Sequence, residues 1–152
     1  MTSELETVRP TTQAFSMRGT PLLSAGRIMS ELAIAEQLRL HVKVYAEGGE
    51  NSLHSHHFED HAFFILAGEA TFTGEDGSTT VVGPCDGMMI PRNAAYFFTS
   101  TGAENLVMLR IGAGDARATR DEGNTMSRAS LDGQAIKNAG EPALSGEVFL
   151  GI

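Results

Sequence analysis

The clearest alternation of apolar and polar positions runs from Leu38 to Tyr45. Leu38, Leu40, Val42 and Val44 share one parity, and Arg39, His41, Lys43 and Tyr45 the other. Successive side chains on a strand point to opposite faces, so this period predicts a β-strand with two unlike faces. The apolar face is expected to pack on the core. The polar ladder is expected to face solvent. The alternative is that it lines a cavity, where Arg39, His41 and Lys43 would hold an anionic substrate.

The short apolar run Ala62–Leu66 ends at Gly68 and predicts another strand. Glu69 to Thr73 and Thr79 to Val82 flank Asp76-Gly77, a strong hairpin signal. Gly87 to Ile90 is a brief strand stopped by Pro91; Tyr96 to Thr99 and Asn105 to Ile111 are two more. Turn signals about every 8 to 12 residues mean a sandwich or a barrel. Pro21 to Gln37 is ambiguous. Ile28, Met29, Leu32 and Ile34 suit either a short helix or an early strand, and Ala, Glu and Leu content tilts towards helix. Residues 1–20 read as a polar arm, Asp115 to Asn124 as an aperiodic surface segment, and Glu147 to Leu150 as a last strand docking back on the barrel. The division is therefore an N-terminal arm and lead-in over 1–36, a barrel core over 37–112 and an irregular tail over 113–152.

At 152 residues the chain is expected to be one domain. Seventeen glycines and five prolines imply many turns and favour an all-β fold. A net charge of −8 argues against nucleic acid or an anionic membrane as a partner. The single cysteine, Cys85, rules out an intrachain disulfide and reads as a buried or inert thiol in a turn. The polar start Met1 to Glu6 lacks the features of a signal peptide, and no apolar run reaches the roughly 20 residues of a membrane helix. A cytoplasmic protein is expected.

Four of the five histidines fall in one short stretch, at His54, His56, His57 and His61. On a strand His54 and His56 share a face, and His61 opens the next strand after the acidic bend Glu59-Asp60. Imidazole is the commonest side-chain ligand of transition metals, so the three rings predict a metal site. His57 faces away from it. Glu59 and Asp60 are candidates to accept a ring N–H.

The stretch resembles the first motif of the cupins, small β-barrel proteins in which a glycine, His-x-His, a glutamate and a closing glycine recur. Gly48, His54, His56 and Gly68 match, while His61 stands where the family has glutamate. Gly83 to Tyr96 resembles the second motif: Pro91 matches, Asn93 replaces a glycine, and Tyr96 replaces a ligand histidine. Asn is the expected substitute where a turn needs positive φ. The resemblance implies a single all-β cupin jelly-roll barrel, or double-stranded β-helix, with an N-terminal arm and an irregular C-terminal tail.

Alternation then defines an expected interior. If His61 points inwards, so do Phe63 and Ile65; if Tyr96 does, so do Phe98 and Ala94. His41, Phe63, Ile65 and Phe98 are the expected pocket walls. One divalent transition-metal ion is expected at His54, His56 and His61: Fe2+ first, with Zn2+, Ni2+ or Mn2+ as alternatives. Tyr96 is the expected catalytic residue, as an acid–base group, a phenolate ligand or simply core. The function expected is a dioxygenase-type reaction on a small oxygen-rich molecule at a three-histidine centre. The alternatives are a non-redox isomerase, lyase or polyketide-type cyclase, and a non-catalytic binding protein. Open sheet edges and the polar arm suggest a homodimer.

Overall fold

A computed structural model of the chain describes residues 10–46, 52–114, 128–130 and 141–151. All regular structure among them is β: β1 (Pro21–Ala25), β2 (Arg27–Ile34), β3 (Leu38–Tyr45), β4 (His54–His56), β5 (Glu59–Ala67), β6 (Ala70–Gly74), β7 (Thr79–Val82), β8 (Gly87–Ile90), β9 (Tyr96–Ser100), β10 (Leu106–Gly114), β11 (Arg128–Ser130) and β12 (Ala143–Val148). Two antiparallel five-stranded sheets, ordered β2-β3-β10-β5-β8 and β11-β4-β9-β6-β7, face each other as a jelly roll. A separate two-stranded sheet joins β1 to β12. None of the described residues forms a helix long and apolar enough to cross a membrane.

The stretch from Pro21 to Gln37 resolves as β1 and β2 rather than a helix. Gly26 breaks it at φ +80°, a conformation open to glycine, so no continuous helical run can form. The last strand ends at Val148 and pairs with β1, starting four residues before Glu147 and stopping short of Leu150. The segment Asp115 to Asn124 and motif residue Gly48 lie outside the described residues.

Two apolar clusters form, one on each side of the first sheet. Inside the barrel, Tyr45, Phe63, Ile65, Phe72, Phe98, Leu106 and Met108 pack together. Outside it, Val42, Val44 and Val107 are covered by Leu23 of β1, with Met17, Ile28 and Phe149 around them. The Asn105 side chain fastens this cover: its Oδ1 accepts the Leu23 N–H at 2.7 Å and its Nδ2 donates to the Leu23 carbonyl at 2.9 Å.

This arrangement corrects the expectation for β3. The apolar face, Val42 and Val44, lies under β1, and the polar ladder points into the barrel. Arg39 and His41 are each only 8% exposed, and Tyr45 is part of the inner cluster. Ala94 does not join the interior. It is exposed and precedes β9, closing a turn by donating its N–H to the Pro91 carbonyl at 3.0 Å.

Candidate functional site

β5 and β10 build one wall of the interior. Their pairing sets Gly112 opposite His61 and Arg110 opposite Phe63; β10 also pairs with β3, setting Gly112 opposite Arg39 and Arg110 opposite His41. β4 and β9 build the facing wall, with His54 opposite Tyr96. The turn between β8 and β9 is tied to β4, because the Asn93 N–H donates to the His56 carbonyl at 2.7 Å. Asn93 has φ +68°, as a turn with Asn in place of glycine requires. The closing glycine, Gly68, has φ +74°, and a Cβ there would lie 2.5 Å from the Asn105 carbonyl oxygen.

The structure brings His54, His56, His61 and Tyr96 together. All four are buried. Ring centroids are 5.0 Å apart for His54 and His56, 4.1 Å for His56 and His61, and 4.6 Å for His54 and Tyr96. The Tyr96 hydroxyl lies 3.5 Å from His56 Nε2. Phe63, Ile65 and Phe98 are in the same interior, as is His41. His57 is exposed, with Nδ1 2.9 Å from Asn93 Oδ1.

Arg110 is the residue sequence reasoning missed. It is buried on the inner face of β10. Its Nη2 donates to Glu59 Oε2 at 2.9 Å and lies 2.6 Å from His61 Nε2, while its Nη1 lies 3.2 Å from His41 Nδ1. Arg39 grips the other oxygen, Glu59 Oε1. The signal was one cation inside the apolar run Leu106 to Ile111, in phase with Leu106 and Met108. Glu59 does meet a ring nitrogen, 3.0 Å from His61 Nε2. Asp60 instead takes the Arg92 backbone N–H at 2.8 Å and its side chain. Gly112 leaves room for this cluster: a Cβ there would stand 3.2 Å from Arg110 Nη1 and 3.4 Å from Glu59 Oε1.

Charge in this space is mostly positive. Burial first, then the nearby Arg110 and other cations, pushes His41 down to about 4 and His61 down to about 2. Both rings are therefore neutral at neutral pH. Burial also pulls Arg110 below the ordinary arginine value. The Lys43 ammonium lies over the rings of Tyr45, Phe98 and Phe63, at 5.3, 5.4 and 5.8 Å from their centroids.

Residues 41–112 match the family model described as "Cupin domain". The barrel over these residues is a cupin domain. Among solved structures, a cupin superfamily protein from Desulfitobacterium hafniense is 25% identical, with a TM-score of 0.51 over 59% of this chain and 78% of that one. The DMSP lyase DddQ from Ruegeria pomeroyi is 23% identical, with a TM-score of 0.53 over 61% of this chain and 49% of that one. KdgF from Halomonas sp. is 16% identical, with a TM-score of 0.54 over 62% of this chain and 84% of that one. The last two likenesses concern the fold alone. No curated protein matches the chain in sequence.

Cupins commonly bind a metal ion, and the donor chemistry of this cupin can be tested for one. Among the described residues no three His, Cys, Asp or Glu side chains stand in a ready metal-binding arrangement. The individual rings nevertheless suit the role. His54 Nδ1 is 2.6 Å from the Ser52 carbonyl, which fixes its proton there and leaves Nε2 as a lone pair. His61 has two incompatible contacts at Nε2: Glu59 needs a proton on it, and Arg110 needs a lone pair. With the proton on Nε2, the lone pair falls on Nδ1, a buried atom with no hydrogen-bond partner among the described residues. A cation bound at Nδ1 would select that tautomer. The donor chemistry is compatible with an imidazole-bound ion, to which His61 would offer the nitrogen turned away from Arg110.

Proposed function

We propose that this cupin is a metal-assisted enzyme that moves a proton within a small oxygen-rich molecule, as an isomerase, lyase or polyketide-type cyclase. His54, His56 and His61 hold a divalent transition-metal ion, and Tyr96 is the acid–base group. The observation that carries this reading is the buried Tyr96 hydroxyl, 3.5 Å from His56 Nε2, on a ring whose centroid is 4.6 Å from that of His54. A phenol so placed can hold or release a proton at a substrate atom beside the rings. When bound, Zn2+, Ni2+ or Fe2+ would supply Lewis-acid polarisation of a carbonyl or enol oxygen. The chain does the rest. Phe63 and Phe98 keep water away, and the Arg110 guanidinium offsets negative charge that develops nearby. The DMSP lyase DddQ shares the barrel, which adds a fold-level analogy for lyase chemistry.

A second reading is the dioxygenase-type reaction with Fe2+ at the same residues. It is favoured by the makeup of the cluster, three imidazoles whose nearest carboxylate, Glu59, is engaged by Arg39 and Arg110. Metal analysis of untagged protein, with a panel of diketones, hydroxy acids and phenolic acids, tests both. Solvent-deuterium exchange into substrate without oxygen uptake supports proton transfer, and oxygen consumption supports the oxygenase. Protein that binds no transition metal, or a Tyr96→Phe variant with unchanged turnover, overturns the first reading.

A further inference from the structure

We propose that Arg110 and His41 form an anion-recognition subsite on the inner wall, built for the carboxylate of a small organic acid. The inference rests on reading the barrel interior as the substrate pocket, and adds the class of substrate.

Glu59 is the sole buried carboxylate among the described residues, and it receives two guanidiniums, Arg39 at Oε1 and Arg110 at Oε2. The wall thus already displays the group its guanidiniums hold, a flat carboxylate. Arg110 uses Nη2 for that pair. Its Nη1 is turned the other way, 3.2 Å from His41 Nδ1. That contact joins a cation to a neutral ring, and a carboxylate adds a Coulomb attraction and a fork-matching geometry that a neutral ring nitrogen lacks. A ligand carboxylate at Nη1 would therefore improve on the resident acceptor, and the His41 ring beside it would be free to donate an N–H.

The surroundings strengthen the same preference. Arg110 and His41 sit across from each other on β10 and β3, and Phe63 flanks Arg110 on β5, so the subsite has an apolar side. Lys43, two residues beyond His41 on the same face, holds its ammonium over the Phe63 and Phe98 rings. In a space walled by aromatic rings such charges act through a low dielectric. Arg110 Nη2 also touches His61, so the subsite and the imidazole cluster share one guanidinium.

The test is calorimetric titration of the full chain after chelator treatment, so that no metal contributes. Acetoacetate is compared with its neutral methyl ester, in wild type, Arg110→Met and Arg110→Lys. The expected result is about tenfold tighter binding of the acid than of the ester by wild type, a preference lost in Arg110→Met. Arg110→Lys, which keeps the charge and loses the fork, should retain part of it and covers the case that Arg110→Met does not fold. Equal binding of acid and ester, no binding of the acid at millimolar concentration, or an unchanged preference in both variants overturns the proposal. Tighter binding of inorganic phosphate than of acetoacetate overturns the carboxylate assignment. Because the protein is metal-free, failure here leaves the metal reading standing, and failure to bind metal leaves this result readable.

Discussion

Arg110 and Glu59 form a buried ion pair, 2.9 Å from Nη2 to Oε2, at a point where β5 and β10 run side by side. Removing one member of such a pair strands the other charge in low dielectric. Glu59→Gln should cost about 3 to 5 kcal/mol of stability, because two guanidiniums lose their shared counter-charge. Urea unfolding measures it; a loss below about 1 kcal/mol would mean the pair is solvated in solution.

The histidines should separate by position. His54→Ala and His56→Ala are expected to abolish stoichiometric metal uptake, and His61→Ala to weaken it severely, with the barrel still folded. His57→Ala should keep full uptake, since His57 is exposed and turned to Asn93. Elemental analysis beside a circular dichroism spectrum reads both. Full occupancy in His61→Ala would remove that ring from the ligand set.

Acid should destabilise the metal-free protein in a defined window. The folded-state value of His41 is held at about 4, against an ordinary 6.5. Between those values the unfolded chain binds a proton that the folded chain does not, so stability falls as pH drops from 6.5 towards 4. The slope contributed by one such group is at most about 1.4 kcal/mol per pH unit. His61, held at about 2, extends the fall to lower pH. Urea midpoints across this range should decline in wild type and decline less in His41→Gln. A flat profile in wild type would contradict the buried, neutral placement of both rings.

Gly68→Ala should be strongly destabilising. The residue has φ +74°, and the added carbon would meet backbone, the Asn105 carbonyl, at 2.5 Å. The expected cost is about 2 kcal/mol or more, seen as a lower thermal midpoint. Asn93→Gly is the contrasting case, since glycine accepts φ +68° without strain. It should be close to neutral, apart from the lost contact to His57.

The strands were legible where the alternation was strong. The bounds of β3, β7 and β8 follow from the sequence, and so does the positive φ of Asn93. The histidine cluster was legible because two rings share one strand parity and a third opens the next strand. What period two cannot say is which of two unlike faces looks inwards. On β3 the apolar face is covered from outside by β1, so the polar face is left to line the pocket. The sequence signal for that cover was weak, because β1 is short and both β1 and β2 are mixed in composition. Arg110 was hidden for the same reason: a cation within an apolar strand gains meaning only when β3 and β5 bring His41, His61 and Glu59 to it. Cys85 was expected in a turn and is there, at φ +71°, but its thiol is exposed.

Gly112 faces Arg39 on one side and His61 on the other, and the guanidinium of Arg110 rests over it. A single methyl at that spot would nudge the guanidinium while leaving every ionisable group in the chamber intact. Ligand preference in this barrel could thus be reset, in the laboratory or by natural variation, from a residue that carries no functional group of its own.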